Sequence, residues 1–300
     1  MFGDGQTYAA AGVSLATADA VVERLRAAVE STRTDGVVGA FGTFAGVFAL
    51  DDERLLAAST DSVGSKLALA RRAGALRWCG ADLAAHGIND VATTGAEPLF
   101  FLDYVAAGTI DPEQVVELVE GAADVCRAAG CAILGGETAE LPGIYREEEL
   151  DFCGTVVGLV RRDALVDGSR VAPGDVVLGL RSAGIHANGF SLVRRLVGDD
   201  EIDAELLLPP TRCYLDDVRA LRRRADVRDG VRCVRDAADL PGLDLPELGH
   251  RPSRRRHRRL CAARRQAPGA LARCAGRRIP PRAGRHSPAR RGPERRSARA

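Results

Sequence analysis

Apolar residues recur along this chain at two spacings, and the alternation of the two sketches its elements. Ala18, Val21, Val22, Leu25 and Val29 fall three and four apart, with Glu23, Arg24, Arg26 and Glu30 between them, which predicts a helix of about 15 residues capped by Ser14 or Thr17. Val47 to Leu50 and Leu55 to Thr60 read as short strands joined by a turn at Asp51-Asp52-Glu53-Arg54. A second amphipathic helix is expected over 80–96, ended by Pro98, with a strand-length apolar run at 99–105 after it. Asp111 at the N-cap and Pro112 at N1 open a third helix, whose stripe of Val115, Val116, Leu118, Val119, Ala122, Val125 and Cys126 runs to a closing glycine, Gly130. Cys131–Leu134 and 151–159 complete the strands of this half. Turn chemistry at Asp167-Gly168-Ser169 and Pro173-Gly174-Asp175 marks a boundary, and Val176–Leu180 is expected to open a second domain as a strand, followed by a loop and a helix starting near Ser191.

Polar, glycine-bearing segments follow several of these apolar runs. After 131–134 come Gly135-Gly136-Glu137-Thr138-Ala139-Glu140-Leu141-Pro142-Gly143, read as a loop in which two glycines admit a ligand to the backbone and two acids stand ready for an anion's metal. After 55–60 come Asp61-Ser62-Val63-Gly64-Ser65-Lys66: an acid at a strand end to hold a cation, a glycine for close approach, and an ammonium to neutralise phosphate. Lys66 is the only lysine of the chain, either a surface cation kept by chance or a charge whose role arginine cannot fill. Asn89 and Asp90, on a mostly apolar helix, would face a cleft; a solvated face is the plainer reading. The stretch Gly39–Gly46 suits a phosphate cradle or an ordinary entry to a strand. Ser182, Gly184, His186, Asn188 and Gly189, ahead of the helix at Ser191, form a candidate anion site at a helix N-terminus.

Composition changes the picture at one end only. The net charge of +1 hides an acidic chain of 250 residues followed by 50 that carry 18 arginines against one acid, Glu294. The eight cysteines are scattered, with no C-x-x-C pair and no histidine at zinc spacing, so free thiols in a reducing compartment are expected. No apolar run reaches membrane length, and no leader is evident at Met1, so a soluble, cytoplasmic protein is expected.

Six ordered blocks then carry a specific likeness: Tyr8-x-x-Ala11-Gly12-Val13, Thr60-Asp61-x-Val63-Gly64-x-Lys66, Asn89-Asp90, Gly95 to Tyr104, Gly135 to Gly143, and Ser182 to Arg194, continuing through Pro210-Thr211-Arg212-x-Tyr214. Together they resemble the aminoimidazole ribonucleotide synthetases, or phosphoribosylformylglycinamidine cyclo-ligases, of the superfamily that includes selenophosphate synthetase and thiamine-monophosphate kinase. The resemblance implies an α/β (α+β) fold of two domains: an N-terminal ATP-binding and dimerisation domain at 1–165, and a partial C-terminal domain at 166–235. It implies a homodimer, ATP, Mg²⁺ and a formylglycinamidine ribonucleotide substrate, closed to an imidazole in purine biosynthesis. By family position, Asp61, Asp90 and Glu137 are the expected metal ligands. Asp61, Gly64, Lys66, Asn89 and Asp90 are expected at the nucleotide, and Gly135, Gly136, Glu137, His186 and Asn188 at the substrate. His186 and Lys66 are the expected catalytic groups, His186 through proton transfer.

The likeness has limits. Ala40, Thr43 and Ala45 stand in a segment that is richer in glycine in the family. After Tyr214 the family continues with a helix and a His-x-Thr-Gly-Gly-Gly strand–loop, neither of which is found here; 236–300 is instead an Arg-, Pro- and Ala-rich tail without periodicity, expected to be disordered. A lost reading frame between about 220 and 240 accounts for the charge inversion. The rival is a genuine basic tail that binds nucleic acid, though no aromatic residue lies in 251–300 to stack on bases. Loss of much of the second domain predicts poor solubility or little activity.

Overall fold

A computed structural model of the protein describes residues 8–197 and 203–230. Helix α1 (Leu15–Ser31) starts at Ser14, whose side chain accepts from the Thr17 amide. Strands β1 (Val37–Val38), β2 (Gly46–Ala49) and β3 (Arg54–Ser62) follow as an antiparallel meander. Then come α2 (Lys66–Arg72), α3 (Leu76–Ala92), β4 (Glu97–Ala107), α4 (Pro112–Ala129), β5 (Ala132–Glu140) and β6 (Leu150–Arg161). One six-stranded sheet results, in the order β1-β2-β3-β6-β4-β5, with β4 and β5 parallel and the other pairs antiparallel. Beyond a short 3₁₀ turn at Arg162–Ala164 lie three small helices, α5 (Phe190–Val197), α6 (Ala204–Leu207) and α7 (Leu215–Arg222).

Helices α3 and α4 lie on one side of the sheet. Leu55 and Ala57 of β3, Phe152 and Val156 of β6, and Phe101 and Val105 of β4 point to that side and are buried, as period-2 alternation requires of a sheet covered on one face. Helix α3 is apolar nearly all round, the signature of a helix with neighbours on every side. Its closest neighbour is α4, reached through glycine on both helices. A Cβ on Gly80 would stand 1.9 Å from the Leu118 carbonyl oxygen, and one on Gly121 would stand 1.9 Å from that of Arg77. Helix α4 has the predicted ends: Asp111 accepts from the Glu113 amide, Pro112 occupies the first turn, and Gly130 closes the helix at φ 74°.

Five expectations are corrected. No helix was expected after Tyr214, yet α7 starts directly there, at Leu215. The glycine motif at 135–140 is not a loop; it is part of edge strand β5. Gly135 bends that strand at φ 142°, where the register with β4 shifts between Phe101 and Leu102. Val176–Leu180 forms no strand: among the described residues it pairs with no other segment, and Val176, Val177 and Leu178 stay 81%, 75% and 63% exposed. Helix α2 is an element the periodicity did not announce, and α3 starts four residues before its expected Gly80. The stripe of α1 was expected to pack, yet Val21, Val22, Leu25 and Val29 remain half exposed. The arginine-rich tail lies outside the described residues, as do Cys233, Cys261 and Cys274; the five described cysteines are free thiols. Among the described residues no helix is long and apolar enough to cross a membrane.

Candidate functional site

Strand β3 delivers Asp61 to its C-terminal end on the helix-covered face, two residues beyond Ser59. Helix α3 crosses there and presents His86 and Asp90, one turn apart and therefore on one stripe. The His86 Nε2 atom lies 2.8 Å from an Asp61 carboxylate oxygen, and Ser59 donates its hydroxyl to Asp90 at 2.9 Å. The backbone amide of Ser62 also donates to Asp61 at 2.8 Å. One donor atom from each of Asp61, His86 and Asp90 lies within 4.8 Å of the others. His86 and Asp90 are buried, whereas the Asp61 side chain keeps 34% of its exposure, so the cluster opens toward solvent through Asp61. Two carboxylates and an imidazole at this spacing suit a divalent cation.

Past Asp61 the chain turns through Gly64, at φ 69° with nothing within 4 Å of where a side chain would start. Helix α2 then begins at Lys66. Its ammonium, expected at a phosphate, is turned into the protein and fully buried. It pairs with Asp82 of α3 at 2.6 Å and donates to the carbonyls of His186 at 3.0 Å and Pro209 at 3.3 Å, with the Phe190 ring 5.3 Å away. Asn89 is likewise committed to the protein. It donates to the Arg212 carbonyl at 2.9 Å and accepts from the Tyr214 amide at 2.7 Å. Asp82 and Asn89 therefore hold the segment 209–214, while His86 and Asp90, interleaved with them on the same stripe, hold the end of β3. The interval 82, 86, 89, 90 within an apolar helix was the signal for this stripe. Asp82 and the part played by His86 were missed because only the adjacent pair Asn89-Asp90 was read as a unit.

The remaining expected residues are distributed around this core. One row of the sheet runs Asp61–Gly154–Asp103–Gly136, and the next runs Ser62–Cys153–Tyr104–Glu137. Glu137 does not join Asp61 and Asp90: three strand spacings, about 14 Å, separate its row position from β3, and alternation turns it to the opposite face. Gly136 lies flat against β4, where a Cβ would fall 1.7 Å from an Asp103 carboxylate oxygen and 2.4 Å from the Asp103 carbonyl oxygen. Burial holds the Asp103 carboxyl above the usual carboxylate range. Burial, with Asp151 beside it, pushes the Cys153 thiol up to about 11.

His186 and Asn188 sit half-buried in the loop before α5. His186 adopts φ 67°, rare for a residue with a side chain, and its ring lies 6.3 Å from that of Tyr214. The loop meets the start of α2 again where the Ser65 and Ser191 hydroxyls come within 3.1 Å. The sequence-predicted residues therefore form an acidic cluster that could hold a cation (Asp61, Asp90), a glycine turn (Gly64), and an adjoining loop (His186, Asn188), with Gly135, Gly136 and Glu137 on the far edge of the sheet.

Comparison with known proteins places this arrangement. The family described as AIR synthase related protein, N-terminal domain, matches residues 42–160, and its C-terminal counterpart matches 172–239. The phosphoribosylformylglycinamidine cyclo-ligase of Thermosynechococcus vestitus is 47% identical over 254 residues, covering 80% of this chain and 73% of that protein. This chain belongs to the phosphoribosylformylglycinamidine cyclo-ligase family. A second member, from Myxococcus xanthus, is 44% identical over 75% of this chain and 70% of its own length. Among solved structures, T. maritima PurL complexed with ATP is similar at 28% identity and a TM-score of 0.36, over 43% of this chain and 20% of its own.

Proposed function

We propose that this cyclo-ligase family member carries out the reaction its relatives are named for: ATP-dependent closure of formylglycinamidine ribonucleotide to aminoimidazole ribonucleotide, with release of ADP and phosphate. The observation that carries the reading is the convergence of Asp61, His86 and Asp90 at the open end of β3, beside the Gly64 turn. A divalent cation, Mg²⁺ in our reading, would neutralise ATP oxygens there and spread the charge of the phosphoryl group in transfer.

The chain's own residues supply the frame. Asp61, the exposed member, faces the incoming cation and nucleotide, while Ser59 and the Ser62 amide fix the two carboxylates before anything binds. Gly64 lets the nucleotide approach the backbone. On the substrate side we assign Gly135, Gly136 and Glu137 at the edge strand, and His186 and Asn188 in the loop before α5, with His186 moving a proton as the ring closes. Glu137 belongs to this side and not among the cation's ligands. The domain limits we adopt are 1–165 and 166–235, with 236–300 outside both.

A homodimer fits the face of the sheet that the helices leave uncovered. On that face β2, β3, β6 and β4 align Phe48–Leu56–Leu159, Ala58–Val157–Phe100 and Thr60–Thr155–Leu102 in successive rows. The free thiols agree with a reducing, cytoplasmic setting.

The test is ATP hydrolysis coupled to imidazole formation by the purified chain with formylglycinamidine ribonucleotide and Mg²⁺, beside Asp61→Ala. Loss of at least a hundredfold, on the order of 3 kcal/mol of barrier, is expected in Asp61→Ala. Equal rates in both proteins would remove Asp61 from the site.

A further inference from the structure

We infer that Lys66 and Asp82 are positioning residues: a buried ion pair that seats the His186 loop and segment 209–211 on the N-terminal sheet unit, without touching nucleotide. The inference rests on the proposed function only for the identity of the ligand whose site the loop flanks. It starts from burial. Both side chains have no exposure, and a buried ammonium or carboxylate is tolerated only when its charge and hydrogen-bonding capacity are met. The contacts that meet it here are all internal. Lys66 spends its three N–H groups on Asp82 and on the carbonyls of His186 and Pro209. Asp82 spends its second oxygen on Thr211, accepting from both the amide and the hydroxyl at 2.7 Å.

The four contacts to the later segment span 120 to 143 residues of sequence, so the pair is the point at which distant chain is joined. The residue whose carbonyl Lys66 holds is His186, at φ 67°, a conformation that persists only when surrounding contacts fix it. An ammonium suits this place because three N–H groups radiate from one small atom. A guanidinium is a flat fork that does not reproduce this arrangement, and Lys66 is the chain's one lysine where every other long cation is arginine.

A phosphate-binding lysine and a positioning lysine respond differently to loss of the partner charge. Lys66→Met leaves Asp82 buried and uncompensated. Lys66→Met/Asp82→Asn removes both charges and keeps an acceptor for Thr211. Amide hydrogen exchange followed by mass spectrometry, on the full chain without ligand, reads docking directly. In Lys66→Met, peptides covering 183–193 and 209–214 should exchange about a hundredfold faster while β3 and β6 are unchanged, and the double variant should recover most of that protection. Should Lys66→Met not fold, the double variant against Asp82→Asn alone gives the same comparison: adding Lys66→Met to Asp82→Asn should cost little.

Nucleotide binding supplies the second readout, measured for ATP, ADP and AMP. A positioning role predicts that Lys66→Met weakens the three by the same factor and that the double variant restores them. Weakening that grows with each phosphate, with docking peptides unchanged, would overturn the inference. So would a double variant no better docked than Lys66→Met. If the native chain binds none of the three nucleotides, the proposed function fails on that result, and the exchange data still decide the role of the pair.

Discussion

Asp103 stands in the same sheet row as Asp61 and against Gly136, and its burial has a measurable consequence. Its carboxyl is held above the ordinary carboxylate range, so the folded protein binds this proton more tightly than the unfolded chain does. The stability it contributes is present at low pH and is lost as pH rises from the ordinary carboxylate value through the raised one. Replacing it with a neutral isostere removes that loss. Asp103→Asn should therefore gain in melting temperature relative to the native chain on going from pH 4 to pH 7, measured as the difference between the two proteins at each pH; a constant difference would show that the group is not perturbed. At this scale the sequence was informative about chemistry and silent about direction. Asp61 and Asp90 stood out because acids at a strand end and on an apolar helix need partners, and the fold brings both within reach of His86. Lys66 stood out equally, yet nothing in Ser65-Lys66-Leu67 says whether the side chain points to a ligand or into the protein. That is decided by Asp82, His186 and Pro209, none of them its neighbours in sequence.

Glycine decides how the helices are placed. Gly80 and Gly121 bring α3 and α4 together with backbone in contact, and Gly87, set against the Val156 side chain of β6, lets α3 lie close to the sheet. Gly121→Ala would thrust a methyl group into the Arg77 carbonyl. It should cost about 1–3 kcal/mol in urea unfolding, against a near-neutral Gly179→Ala, around which nothing lies within 4 Å. A similar cost for both would mean that the crossing relaxes. Element by element, the sequence was clearest where caps and stripes agreed, as in α4, and least clear where glycine was read as a loop. In β5, Gly135 and Gly136 signal not a turn but a strand pressed onto β4, and local sequence does not separate those two uses. Val176–Leu180 has the residues of a strand but pairs with no other segment among the described residues, and pairing is not a property of the segment alone.

At the scale of the molecule, a six-stranded sheet with α3 and α4 on one face leaves apolar rows on the other, and this bears on association. Val157→Asp, in the middle of that face, should shift the chain toward the monomer in sedimentation equilibrium while far-UV circular dichroism is unchanged. A native chain already monomeric at tens of micromolar would remove the dimer from the proposal.

The joint between Lys66, Asp82 and Thr211 also sets an order of events. The whole sheet is encoded before residue 162, so it can assemble while later residues are still being synthesised. During that interval Asp82 is already being buried and Thr211 does not yet exist as a partner. Lys66, only sixteen residues away, can meet the charge at once, because a short loop closes more readily than one of 129 residues. The ion pair can thus form ahead of the segment that it later receives.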